Sequence, residues 1–392
     1  MKRNPIAFLS VAVGFFALYA LTAQRGLGWG DSGEFHYRIL SDAAGAFSGC
    51  ESFATAHPLY VALAKALCST PFQVTLLSSF FGALAVCGFL LCSRNLALTV
   101  AFGVAHAVWW LSCVAEVYSM SLCFLALETW CMLRYRGDRR SGWLILLFFL
   151  NGFHLELHNL ALLSLPVYAA LLLLHLRTTR SVHWLGTLVA ATCAWAFCAV
   201  FWLQALWTRG AADVLVGGYG GEVCGLLPKN GVVTAFNLAL ASLSFFAPLA
   251  VLWWNRRNRD VRPAGDAPTL GWPVVALLVL HFLFFVRYFI ISQYTFALPS
   301  VFFAYLLVSR FRIGRERALA LVAMQVLLPV LAYHVLSSVK VPAWRSSHPY
   351  RDEAAYFALP WKFNDDSADR CAAQFEGAWK GYWDCSGKER GL

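Results

Sequence analysis

Charge is scarce in this chain. Asp, Glu, Lys and Arg make up only 13% of its 392 residues, about half of what a soluble globular domain carries. So few charges exclude a water-facing domain of this size. No G-x-x-x-x-G-K-[ST] phosphate loop or nucleotide-binding fold appears, which argues against a soluble nucleotide-sugar site. The H-E-x-x-H zinc arrangement is absent. No inverted internal repeat of the kind common in transporters is evident.

Apolar sequence fills the space. The hydrophobic share is 59%, the aromatic share 16% with 16 Trp, and the mean hydropathy is +0.60. These values define an integral membrane protein, with indole and phenol rings enriched at membrane interfaces. With about 20 apolar residues needed per span, the sequence predicts an all-α polytopic protein of about 11 transmembrane helices. They fall near 5–24, 72–93, 95–112, 114–133, 142–158, 159–176, 183–207, 232–254, 270–290, 294–310 and 317–337.

The net charge of +10 is explained by the links between spans and needs no nucleic acid. Arg134, Arg136, Arg139 and Arg140 fill one link and Arg177 and Arg180 another. Arg256, Arg257, Arg259 and Arg262 fill a third, and Arg310, Arg312, Arg315 and Arg317 a fourth. All four fall on one side if the amino terminus is cytoplasmic, as the positive-inside rule requires. Lys2 and Arg3 precede an apolar run, Ile6 to Ala23, longer than a signal-peptide core of about 7–15 residues, so a retained anchor is expected. The other side receives a long first loop near 25–71, a loop near 208–231 and a polar tail from 338 onward. In the first loop HPLYVALAKAL at 57–67 is too short to cross and reads as an interfacial or re-entrant helix. Residues 1–337 are therefore expected to form the membrane domain and 338–392 a short outer-face tail. Of the 12 Cys, eight lie in or beside spans as small hydrophobes. Cys371 with Cys385, and more weakly Cys50 with Cys224, are candidate disulfides in an oxidising compartment.

Most isolated Asp, Glu and His residues gather at the span ends on that outer side. An ionisable group in a bilayer costs about 2.5–3.5 kcal/mol on insertion scales, so a cluster at one depth points to use. Gly30, Asp31, Ser32, Gly33 and Glu34 follow the first span; Asp31 or Ser32 also suits an N-cap with Glu34 in the first turn. Glu116 and Tyr118 open the fourth span, where a helix dipole contributes only about 0.3–1 kcal/mol. In FHLELHN, His154 and His158 share a face if helical while Glu156 points elsewhere; no third metal ligand is identifiable, so a divalent metal is not indicated and no cofactor is expected. His57 either hydrogen-bonds a substrate phosphate or caps the helix that carries Lys65. Arg287, with Tyr288, Gln293 and Tyr294, lies on the side that orientation does not explain. Its guanidinium suits bidentate phosphate binding, and pairing with Asp31 or Glu116 is the alternative. His106 and Glu128 read as interior structural groups.

The order GDSGEF at 30–35, AHPLYVALAKAL at 56–67, VAEVYSMSLCFLAL at 114–127 and GFHLELHNLALLSLP at 152–166 resembles a domain-of-unknown-function family of polytopic proteins. That family includes the transmembrane plexin O-mannosyltransferase and lies within the GT-C glycosyltransferase superfamily. The resemblance covers roughly the first 170 residues, with RYF at 287–289 and FALPS at 296–300 extending it more weakly. This chain has HPLY at 57–60 where the family usually shows HPPGYPLY, and a short polar tail where members often continue into a larger soluble part.

The resemblance implies a GT-C-like membrane enzyme that moves a sugar from a polyprenyl-phosphate carrier to a protein, glycan or lipid acceptor on the non-cytoplasmic face. That face is the periplasmic side of a bacterial cytoplasmic membrane, or the lumen of the endoplasmic reticulum in a eukaryote. On this reading the transfer inverts the sugar, Asp31 is the general base, Glu34 and Glu116 orient acceptor or sugar, and Arg287 with His57 or Lys65 stabilises the phosphate. Tyr118, His154, His158 and Tyr288 complete the expected substrate contacts. A transporter or lipid flippase is the rival, but it would place its polar groups near the midplane.

Overall fold

The computed structural model describes residues 5–26, 31–40, 53–178, 183–215, 217, 231–257, 270–289, 293–311, 313–338 and 359. The described chain is a bundle of helices. In order they are α1 (Pro5–Thr22), α2 (Asp31–Leu40), α3 (Pro58–Leu67), α4 (Pro71–Ser93), α5 (Leu96–Gly103), α6 (His106–Leu111), α7 (Tyr118–Asp138) and α8 (Ser141–Leu157). There follow α9 (Ala161–Thr178), α10 (His183–Cys198), α11 (Val200–Arg209), α12 (Ala211–Leu215), α13 (Gly231–Arg257), α14 (Gly271–Arg287), α15 (Leu298–Val308) and α16 (Arg315–Ser338). Short 3-10 turns at Phe53–Thr55 and Gln293–Ala297 precede α3 and α15.

Each of the eleven apolar segments coincides with helix, although two are interrupted. The segment at 95–112 is split into α5 and α6 by a break at Val104 and Ala105, and the one at 183–207 is bent by 71° between α10 and α11. Among the described residues, five helices are long and apolar enough to cross a bilayer on their own, or six with that bent pair counted as one span. Backbone groups released at a break cannot turn to water inside lipid, and side chains meet them here. Glu156 of α8 accepts from the amide of Trp202 in the first turn of α11 at 3.0 Å, and Ser244 of α13 accepts from the amide of Ala107 at 2.8 Å.

The bundle is built around α4, which packs against α1 and α7; α7 packs on α8, and α8 on α9 and α10. Close approach needs small residues between helices. A Cβ at Gly88 of α4 would lie 2.7 Å from that of Ala126 on α7, and one at Gly152 of α8 would meet the carbonyl of Trp195 on α10 at 2.5 Å. A second group, α13 to α16, joins the first through α14 on α9, α13 on α6 and α16 on α5. The amino-terminal helix is locked in: the Tyr19 hydroxyl donates to the carbonyl of Gly103 at 2.6 Å, and the Trp109 indole donates to Thr22 at 2.9 Å. Large side chains such as Leu9, Val13, Phe197, Leu249, Leu327 and Leu331 stand exposed on the outside, the lipid-facing girdle of a multi-pass membrane protein.

The eight cysteines at 68, 87, 92, 113, 123, 131, 193 and 198 are free thiols, with Cys193 exposed and Cys68 half-buried. Cys50, Cys224, Cys371 and Cys385, and with them both candidate disulfides, lie outside the described residues, as does the tail beyond Ser338 except Leu359.

Candidate active site

Five helix ends, the starts of α2, α3 and α7 and the last turns of α8 and α14, meet the 3-10 turn at Gln293–Ala297. The anchor is Glu116, in the link between α6 and α7. That link leaves the last carbonyls of α6 without helical partners, and two serines of α4 help satisfy it. The Ser79 hydroxyl donates to the carbonyl of Ser112 at 2.7 Å. Ser78 accepts from the Glu116 amide at 3.1 Å and donates to the Glu116 carbonyl at 3.0 Å, and the Tyr60 hydroxyl of α3 is 3.2 Å from Ser78. Glu116 is thereby held at both backbone polar atoms.

Its side chain is buried, 6% exposed. Oε1 accepts from the Ser32 hydroxyl of α2 at 3.2 Å, while the buried Oε2 has no hydrogen-bond partner. Burial first, and then the negative charges of Asp31 and Glu34, push the Glu116 carboxyl well above the usual range; the Ser32 hydrogen bond opposes them in part. Three carboxyl groups therefore act on one another. Asp31 is exposed in the first turn of α2, where the helix dipole favours an anion, and Glu34 lies one turn on. Asp31 and Ser32 are the first two residues of α2, inside the helix and not before it, and from there Ser32 reaches Glu116.

Arg38 balances this acidity. It is buried to 1% and pairs with Glu34 at 3.9 Å. It donates to the carbonyls of Thr55, at 3.1 Å, and Ala56, which fastens α2 to the turn entering α3. Sequence reasoning passed over this residue, although its place four residues after Glu34 is the signal of an i,i+4 pair.

His57 follows, in the left-handed region at φ 47°, an uncommon conformation outside glycine. Its side chain does not cap α3. Nδ1 instead donates to the carbonyl of Leu157, the last residue of α8, at 2.6 Å. Burial lowers the imidazole to about 4, with the Arg38 charge adding to the effect against that hydrogen bond. The ring is neutral, and it stacks on His158 with centroids 5.0 Å apart and planes 28° from parallel. His158 caps the end of α8, where its Nδ1 accepts from the amide of Leu160 at 3.1 Å. Burial, then the neighbouring His57 and His154, hold its imidazole well below the ordinary value.

An aromatic wall completes the arrangement. Tyr118 lies 5.3 Å from His158 and 5.6 Å from Phe296 between ring centroids, and its hydroxyl shares a hydrogen bond with Thr295. Phe296 meets Tyr288 at 4.7 Å, and Tyr288 stacks on Phe284 at 5.0 Å. Arg287 is the exposed last residue of α14, immediately before Tyr288. The structure thus brings together Asp31, Glu34, His57, Glu116, Tyr118, His158 and Tyr288, with Arg287 at the edge.

Two expected residues stand elsewhere. Lys65 lies in the last turn of α3, eight residues and about 12 Å along the helix from His57. His154 is buried a turn deeper than His158 and belongs to an interior network. Its Nδ1 donates to Glu128 Oε1 at 2.8 Å, its Nε2 is 2.6 Å from the Ser121 hydroxyl, and Tyr168 donates to Glu128 Oε2 at 2.9 Å. This is the interior role read for Glu128. Among the described residues, no three His, Cys, Asp or Glu side chains form a group that could hold a metal ion.

The described helices form a polytopic membrane bundle whose fold is shared with solved structures of ArnT. The crystal structure of ArnT from Cupriavidus metallidurans bound to undecaprenyl phosphate superposes with a TM-score of 0.58 at 13% identity, covering 97% of this chain and 74% of that one. The apo form of the same protein gives 0.55 at 14% identity with the same coverage. More particularly, residues 93–182 match the family described as the Protein O-mannosyl-transferase TMEM260 N-terminal domain. That stretch holds Glu116, Tyr118, His154 and His158 but not Asp31, His57 or Arg287. No curated protein matches the chain.

Proposed function

We propose that this protein is a membrane glycosyltransferase that moves a sugar from a polyprenyl-phosphate-linked donor to an acceptor hydroxyl on the non-cytoplasmic face. The observation that carries the reading is the convergence of Asp31, Glu34 and Glu116 beside the aromatic wall of Tyr118, Phe296 and Tyr288, within a fold shared with a protein solved with undecaprenyl phosphate bound. The O-mannosyltransferase description of the matched family makes a hexose the first donor to try.

In this mechanism Asp31, the exposed carboxylate, takes the proton of the acceptor hydroxyl as its oxygen attacks the anomeric carbon. The bond from that carbon to the phosphate oxygen breaks on the opposite side, so the sugar inverts and polyprenyl phosphate departs with the bonding electrons. A phosphate leaves without needing a proton, so it calls for a cation rather than an acid. Arg287, at the edge of the site, supplies it. A neutral His57 with its Nδ1 hydrogen already committed does not, and Lys65 is too far along α3 to share the His57 position. Glu116 keeps a proton and orients through Ser32, while Glu34 is held by Arg38. The positive links face the cytoplasm, and the site faces the periplasm in a bacterium or the lumen in a eukaryote.

The test is to incubate the purified protein with radiolabelled polyprenyl-phosphate mannose, glucose and galactose together with membrane acceptors. Release of unsugared polyprenyl phosphate with label on an acceptor supports transfer. Movement of intact labelled lipid across vesicles without cleavage would establish the flippase instead.

A further inference from the structure

His57 and His158 form a stacked pair whose hydrogen-bonding characters are opposite and set by the backbone. A carbonyl can only accept, so the 2.6 Å contact to Leu157 places a hydrogen on His57 Nδ1 and leaves Nε2 of the neutral ring a bare acceptor. The amide of Leu160 can only donate, so His158 Nδ1 is bare and its hydrogen resides on Nε2. Neither Nε2 has a hydrogen-bond partner among the described residues, and both residues keep some exposed surface. One residue thus offers an acceptor and the other a donor, between the Phe35 ring of α2 and the rings of Tyr118 and Phe296.

We infer that the His57–His158 stack is the hydroxyl-recognition element for the transferred sugar, reading adjacent ring hydroxyls and so setting which hexose is accepted. This rests on the glycosyl-transfer reading above and changes one part of what the sequence suggested, the assignment of His57 to phosphate. An ionised phosphate is an acceptor only, and the lone pair on His57 Nε2 repels it. A sugar hydroxyl donates and accepts at once, so neighbouring hydroxyls satisfy both rings. The left-handed backbone at His57 fits this purpose: it turns the ring onto Leu157 and His158 instead of onto the start of α3.

Asparagine and glutamine separate the recognition role from a structural one, because an Asn side chain reaches the position of Nδ1 and a Gln side chain that of Nε2. His57→Asn keeps a donor for Leu157 and loses the outer acceptor, and His158→Asn keeps the acceptor for Leu160 and loses the outer donor. With full-length protein and a panel of polyprenyl-phosphate hexoses each lacking one ring hydroxyl, each Asn variant should raise the donor KM on the order of 10- to 100-fold. The deoxy donor that lacks the partner hydroxyl should weaken the wild type similarly but add nothing in that variant. His57→Gln should recover part of the loss. Wild-type KM and sugar selectivity in both Asn variants would overturn the inference, as would losses that add with every deoxy donor. A wild-type protein that cleaves no lipid-linked sugar fails at an earlier step and takes the glycosyl-transfer reading with it. Thermal unfolding of each variant identifies any that fails to fold, and its partner in the pair then carries the comparison.

Discussion

Replacing Glu116 by Gln should change how stability responds to pH. In the folded protein an ionised Glu116 would have a single hydrogen bond, from Ser32, for two buried oxygens, with Asp31 and Glu34 nearby; burying an incompletely paired charge costs several kcal/mol. The folded chain therefore keeps the proton to higher pH than the unfolded chain, in which a glutamate titrates near its ordinary value. Between those two points unfolding releases a proton. Stability consequently falls as pH rises, by up to about 1.4 kcal/mol for each pH unit in that window, and levels off above the folded value. The amide introduced by Glu116→Gln does not titrate, and its oxygen still accepts from Ser32. The variant should thus gain on the wild type steadily as pH rises. Thermal unfolding of both purified proteins in one detergent, from about pH 5 to about pH 8, measures the difference. Parallel curves, or a wild type that gains on the variant with rising pH, would refute the reasoning.

Other expectations follow from named contacts. Ser78→Ala leaves the buried amide and carbonyl of Glu116 without their shared partner. It should cost about 1–3 kcal/mol, seen as a lower melting temperature together with slower turnover; an unchanged melting temperature would show that Ser78 does not hold the link. Glu128→Ala strands His154 and Tyr168 together, whereas Tyr168→Phe removes one contact. The first should destabilise by about 2–6 kcal/mol and the second by about 0.5–1.5 kcal/mol, with turnover per folded molecule preserved in both; equal melting temperatures would contradict the network. Arg287→Ala should weaken binding of polyprenyl phosphate by at least about 10-fold, and Arg287→Lys should restore only part of it because a point charge lacks the planar fork. Equal affinity in a lipid-binding titration would remove Arg287 from the phosphate site.

Much of this architecture is legible in the residues because lipid imposes one dominant rule. Apolar runs must be helical to satisfy their backbone, so α1, α4 and α7–α9 sit where hydropathy places them, and α3 is helical at the predicted HPLYVALAKAL. Hydropathy does not report a break whose polar groups are repaired from afar. The interruptions after Gly103 and Cys198 depend on Ser244 and Glu156, contributed by other helices. The site divides in the same way. An isolated carboxylate in apolar surroundings marks itself through its burial cost, which is why Glu116 stands out, while Asp31 and Glu34 stand out by following the first span directly. Arg38 lies in a polar segment where a cation attracts no notice, and its value comes from burial against Thr55 and Ala56. Ser78 and Ser79 carry no signal in the sequence, because their partners are the amide and carbonyls of the distant α6–α7 link. His154 and His158, paired by spacing in the sequence, have different hydrogen-bond partners: His154, inside α8, meets Ser121 and Glu128, and His158, just past its end, accepts from Leu160.

The most direct test of the central claim is transfer by an Asp31→Asn variant, with purified protein and a defined polyprenyl-phosphate sugar that the wild type uses. Loss of the general base should slow transfer by about 100-fold or more, while binding of the lipid-linked donor stays within a few-fold of the wild type. An Asp31→Asn protein that binds the donor and transfers its sugar at the wild-type rate would contradict the account.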